Sequence, residues 1–167
     1  MLINAYGLRT RMPTIALNEG IWKGSYRHFN AGGDLIDEHY VRSICRIPDV
    51  DPYPYYQTNF YYWDDGRIDQ REYPAWFING RLFLSNDVLC GWVLDSIDDG
   101  ARHTLMLHWR RTDTPEVYAF ELVEIFGGGE SRRHHWHWYH GRNLVQRTVA
   151  YQTKISHQWA KESNTGL

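Results

Sequence analysis

A chain of 167 residues suits one domain and can bury about two-thirds of the surface its unfolded form would expose. The apolar fraction of 43% is ordinary, whereas an aromatic fraction of 16%, with twelve Tyr and eight Trp, favours pleated, half-buried surfaces. A formal net charge of −2 with scattered Lys and Arg argues against nucleic acid, and the absence of a signal-type start or an apolar run near ~20 residues argues against a membrane, so a soluble cytoplasmic protein is expected.

Residues 1–19 form a leader that is expected to lie across one mouth of whatever follows. Ten β-like runs then succeed one another over 20–156: IWKGSYRHF, LIDEHYVRSICRI, YYQTNFYYW, QREYPAWFI, RLFLS, VLCGWVLDS, RHTLMLHWRR, VYAFELVEIF, RHHWHWYH and LVQRTVAYQTKI. Turn chemistry separates them, as in AGGD, DDGR, NGR, TDTPE, GGGE and HGRN. Short connections without a crossover helix predict an all-β fold, a single antiparallel barrel of about eight to ten strands. The tail 157–167 loses the pattern and is expected to fray or form a short helix. Cys45 and Cys90 lie in apolar runs without CxxC spacing and are expected to be free, buried thiols.

Period-2 alternation assigns faces, with ring-bearing faces expected inward. Trp22 and Tyr26 share a face of the first run, and Asp37, His39, Val41 and Ser43 share one of the second. The third run offers Tyr55, Gln57, Asn59, Tyr61 and Trp63 against Tyr56, Thr58, Phe60 and Tyr62, so one choice puts amides inside and the other puts rings outside. The wall is completed by Trp92, Trp109, Trp136 and Trp138. Alternation of Val145, Arg147, Val149 and Tyr151 places Arg147 on an apolar face, where it pairs with Glu121 or Asp37 or holds a ligand oxyanion.

The stretch RRHHWHWYHGR concentrates four histidines, but a strand splits them between two faces. His135 and His137 have HxH spacing and need a third ligand, for which Glu124 is the neighbour, so no metal is expected. A haem reading would rest on His134 or His28 as an axial ligand.

Gly20-Ile21-Trp22, together with SICRIPDVDPYPYYQTNFYYWDDGR, WHWY and QRT, resembles the calycin barrels, and more specifically a lipocalin-like domain family of unknown function found in bacteria and fungi, over about residues 20–155. The chain departs from that pattern at Tyr56, where His is expected, and in the histidine-rich flank before Trp136. The resemblance implies a calycin fold with a small-molecule cavity and brings no substrate with it.

Two functions follow as expectations. One is a cofactor-independent lyase, isomerase or cyclase acting on an aromatic or polyketide-like molecule, with Arg147 on an oxyanion, Tyr61 and His39 moving protons, and Gln57 and Asn59 orienting the substrate. The other is a carrier of an apolar ligand such as a fatty acid, pigment or haem. Both require a small organic partner, and a homodimer is compatible with either.

Overall fold

The computed structural model describes residues 4–50, 52–96 and 103–161. Ten strands, β1 (Gly20–Asn30), β2 (Leu35–Arg46), β3 (Tyr55–Tyr62), β4 (Ile68–Ile78), β5 (Arg81–Ser85), β6 (Leu89–Asp95), β7 (Thr104–Arg111), β8 (Val117–Phe126), β9 (Ser131–His140) and β10 (Asn143–Ser156), form an antiparallel meander that closes through β1 on β10. Each run read from the sequence became one strand because alternation supplies an inner face and the turn residues supply the reversals. Asn79-Gly80 between β4 and β5 shows how, both residues taking the positive φ of a tight hairpin, 50° and 83°. Closure leaves no unpaired sheet edge. The beginning of the seventh run, Arg102, and the end of the tail beyond Lys161 lie outside the described residues.

The leader forms two short helices, α1 (Ala5–Arg11) and α2 (Pro13–Asn18), that plug one end of the barrel. Asn4 caps α1 by accepting from the Gly7 N–H at 2.8 Å, and Pro13 opens α2 at a position where the missing N–H is no loss. The plug is fixed to the wall by Asp95 at the end of β6. Its carboxylate accepts from Thr14 N at 2.7 Å and Thr14 Oγ1 at 2.6 Å, acting as a cap supplied from another element. Arg9 on α1 grips Glu19 at 2.9 Å, and Trp159 of the tail's single helical turn (Trp159–Lys161) donates to the same carboxylate at 2.9 Å.

Trp22 is fully buried directly above this plug. Its indole N–H donates to Asn18 O at 2.8 Å, and the Arg132 guanidinium and Lys154 ammonium lie 4.5 and 4.8 Å from its ring centre. Gly91 sets the opposite wall: a Cβ there would lie 2.1 Å from His108 O and 2.9 Å from the Trp109 ring, so only glycine lets β6 and β7 close with that indole turned inward.

Two expectations about facing are corrected. Trp92 points outward, because the inner face of β6 must carry Gly91 for Trp109 and Asp95 for α2; its ring stacks on His108 at 5.7 Å instead. Arg147 also points outward and donates to Ala31 O at 3.2 Å on the exposed surface. The inner face of β10 is the polar and small one, with Thr148, Ala150 and Gln152 all buried and Val145 and Tyr151 exposed. Cys45 and Cys90 are free, the first buried and the second half-buried.

Asp95→Ala is expected to lower stability by about 1–3 kcal/mol, because three backbone and hydroxyl donors at the start of α2 lose their acceptor. Thermal unfolding with limited proteolysis of the leader checks this; an unchanged midpoint would mean that the plug is held without that cap.

Candidate functional site

The barrel encloses a cavity of about 390 Å³. Its floor is made by Ile15, Asn18 and Arg132 and its walls by rings, among them Tyr26, Tyr61, Tyr73, Trp109, Trp136 and Trp138. The end away from the helical plug carries His28, Asp37, Trp63 and Gln146.

Arg132 is 1% exposed, and no carboxylate among the described residues lies within ion-pair distance of it. It donates to Gln152 Oε1 at 2.8 Å and, in a short contact, to Asn18 Oδ1, while its Nη2 is buried without a partner. From Asn18 a hydrogen-bond chain climbs β3. Asn18 Nδ2 donates to Tyr55 Oη at 2.8 Å, Tyr55 to Gln57 Oε1 at 2.8 Å, Gln57 Nε2 to Asn59 Oδ1 at 2.9 Å, and Asn59 Nδ2 to Tyr61 Oη at 3.0 Å. Every link runs the same way, away from the cation, so the dipoles add. The chain ends on the Tyr61–Tyr73 hydroxyl pair, 3.2 Å apart. Whichever of the two donates to the other, one phenolic hydrogen is left over inside the cavity. Burial pushes the pKa of both phenols up, so both stay protonated at neutral pH and act as donors.

Across from β3, Glu121 projects inward from β8. Its carboxylate accepts from Trp109 Nε1 at 2.5 Å and from His134 Nδ1 at 2.6 Å. His134 stacks on Trp136 with ring centres 5.1 Å apart, and its Nε2 is buried without a hydrogen bond. Burial lowers the pKa of this imidazole against the raising influence of Glu121, so at neutral pH the ring is neutral, with the proton on Nδ1 and the lone pair on Nε2.

A second group with the same connectivity lies nearer the open end. Asp37 accepts from His39 Nδ1 at 2.7 Å and from Trp63 Nε1 at 3.0 Å, and His39 Nε2 is again buried and unpartnered. Burial alone would raise the Asp37 pKa, but the His39 and Trp63 hydrogen bonds outweigh it and hold the carboxyl below its usual value. Indole, carboxylate and imidazole thus recur twice in one cavity, with Tyr26 between the two imidazoles at 5.6 and 6.0 Å.

The structure brings together Tyr26, His39, Gln57, Asn59, Tyr61, Trp63, Trp109, Trp136 and Trp138 around this space. Trp22 points inward but is sealed in the floor beneath it; Trp92 and Arg147 are outside. Both carboxylates considered as partners for Arg147 are spent on histidine and tryptophan. Gln57 and Asn59 share one hydrogen bond, and Tyr55 and Tyr61 engage their other ends. His135 and His137 face outward, with Glu124 3.8 Å from His135. Sequence reasoning missed Glu121 and Tyr73 as site residues and did not weigh Arg132. The signal for Glu121 was present: it is the one charged position among Ala119, Val123 and Ile125 on the inner face of β8.

No protein-family model and no curated protein matches the sequence. Solved structures do match. An S-type phycobiliprotein lyase from Guillardia theta superposes with a TM-score of 0.63 at 14% identity, over 87% of this chain and 92% of that one. A protein of unknown function from the DUF3598 family of Nostoc punctiforme gives 0.62 at 11% identity over 84% of this chain, which spans only 49% of that longer protein. Rv2717c from M. tuberculosis gives 0.57 at 12% identity, covering 92% and 99%. At these identities the likeness establishes the fold alone, a closed antiparallel barrel.

Arg147→Met is expected to change stability by less than about 0.5 kcal/mol, as for other surface positions. Arg132→Met, which strands the acceptors on Asn18 and Gln152, should cost about 1–3 kcal/mol for each acceptor left unpaired. Equal midpoints for the two variants would contradict the assigned faces. A pH dependence follows from His134: its folded pKa lies below the unfolded value, so the unfolded state binds more protons between the two. The stability it contributes is complete above the unfolded pKa of ~6.5 and is lost as pH falls towards the folded one. Denaturant unfolding between pH 7 and 5 should therefore show a smaller loss in His134→Gln than in the parent.

Proposed function

We propose that the barrel binds a small organic molecule and moves a proton on it without a cofactor, as a lyase, isomerase or cyclase of aromatic or polyketide-like compounds. The observation that carries this reading is the leftover phenolic hydrogen at the end of a polarised chain, facing the same cavity as the Glu121–His134 pair. A carbonyl placed against the Tyr61–Tyr73 pair would gain a donor as its oxygen becomes an enolate. Proton removal from the adjacent carbon falls to His134 Nε2, with Glu121 fixing the tautomer and stabilising the imidazolium that forms; the same ring returns the proton at another carbon or to a leaving group. Because Nε2 is buried and its ring lies against Tyr26 and Trp136, the wall around those two residues must yield when substrate enters. The remaining rings exclude water and hold a planar substrate. A barrel of this shape in Guillardia theta carries the name of a lyase, in keeping with such chemistry.

The self-satisfied Gln57–Asn59 stripe favours a second reading, a carrier of a compact apolar ligand. A cavity of about 390 Å³ lies towards the small end of the ~300–1,000 Å³ range of ligand sites, which suits two or three fused rings better than a haem.

Native mass spectrometry of freshly purified protein should show a retained small molecule that identifies the ligand class. With that compound or a ring-bearing ketone analogue, hydrogen–deuterium exchange at the carbon next to the carbonyl reports proton transfer. Tyr73→Phe and His134→Gln should each slow exchange about 10²–10⁴-fold while affinity changes little. Binding without exchange in the parent protein would leave only the carrier.

A further inference from the structure

His28, Asp37 and His39 stand together at the open end for a reason visible in the strands. His28 and Asp37 are direct cross-strand partners on β1 and β2, and His39 is the next inward residue after Asp37. Their candidate ligand atoms lie within 4.8 Å of one another, and among the described residues no other trio of His, Cys, Asp or Glu comes as close. His28 Nε2 is 3.9 Å from Asp37 Oδ2, His39 Nδ1 is 2.7 Å from that same oxygen, and the two imidazoles stack with centres 5.1 Å apart.

We infer that this trio is a binding site for a divalent transition metal of zinc type, with its remaining coordination position turned to the cavity mouth. The inference is independent of the proton-transfer reading, which uses Glu121, His134 and the tyrosine pair. Two neutral imidazoles and one carboxylate are the donors that suit such ions and discriminate against calcium and magnesium, which take oxygen. Outer contacts that orient metal ligands are also in place: Trp63 Nε1 holds the other Asp37 oxygen at 3.0 Å, and Thr148 Oγ1, 2.7 Å from His28 Nδ1, can accept the Nδ1 proton and leave Nε2 for the ion; the Gln146 amide, whose Nε2 lies 2.9 Å from the same nitrogen, must then turn its oxygen towards it. Ligation through His39 Nδ1 requires the tautomer protonated on Nε2, so the hydrogen shared with Asp37 moves to that atom as the ion takes its place, and bonds of about 2.0–2.2 Å draw the three side chains together. Asp37, the most exposed of the three, keeps the position open to water or to an oxygen of a bound molecule.

The test is calorimetric titration of the full chain, stripped with EDTA, with Zn²⁺, alongside the visible spectrum of the Co²⁺ form. One equivalent should bind and Co²⁺ should give an intense tetrahedral or five-coordinate band. His28→Asn and Asp37→Asn should each weaken binding at least tenfold and abolish the band, whereas His135→Gln with His137→Gln should leave both intact. His28→Asn retains the buried Asp37–His39 contact, so it decides the matter if Asp37→Asn does not fold. No stoichiometric binding in the parent, or binding kept in His28→Asn, would overturn the inference, as would loss of binding in the His135/His137 double variant.

Discussion

A cation buried without an anion organises this barrel. Arg132 is fixed under the cavity by its stack on Trp22 and by amide oxygens from Asn18 and Gln152, so dipoles alone compensate its charge. Buried charge is tolerated only where such acceptors are held rigidly. That requirement explains why α2, β1, β9 and β10 meet at one point: Asn18, Trp22, Arg132 and Gln152 each come from one of them. It also explains the direction of the hydrogen-bond chain. Once Asn18 offers its oxygen to the guanidinium, its nitrogen must face Tyr55, and each later donor follows from the one before.

The polar interior above that floor consists of saturated groups and a few that are left over. The amides of β3 consume one another, which lets a strand of polar residues line a cavity without attracting bulk water. What remains open is one phenolic hydrogen and the Nε2 atoms of two imidazoles that carboxylates lock in a single tautomer. Tryptophan N–H groups complete both carboxylates, so aromatic richness here serves electrostatics as well as apolar packing.

The outer surface has an aromatic organisation of its own. Trp76, Phe83, Trp92, His108 and Phe120 are successive cross-strand partners from β4 to β8, giving a band of rings around the outside of the closed sheet. Arg81 lies 5.1 Å from the Trp92 ring centre within this band. Rings on both faces defeat the rule that ring-bearing faces turn inward, which is why Trp92 faces out, whereas Arg147 faces out because β10 turns its apolar side outward and its polar and small side inward.

The sequence by itself determined an antiparallel meander of about eight to ten strands that tends to close on itself, because this depends on period-2 alternation and on turn residues that act over a few positions. It also determined the inward facing wherever one face was plainly richer in rings, as in WHWY and in Trp22 with Tyr26. Only the tertiary structure decided the facing of β6 and β10, since both faces of those strands are chemically plausible and the choice rests on distant demands: Asp95 on α2, Gly91 under Trp109, Gln152 on Arg132. Pairings such as Glu121 with His134 and Asp37 with His39 and Trp63 were decided there as well. They depend on cross-strand register and on where a carboxylate finds its donors, and local patterning in the chain carries no record of either.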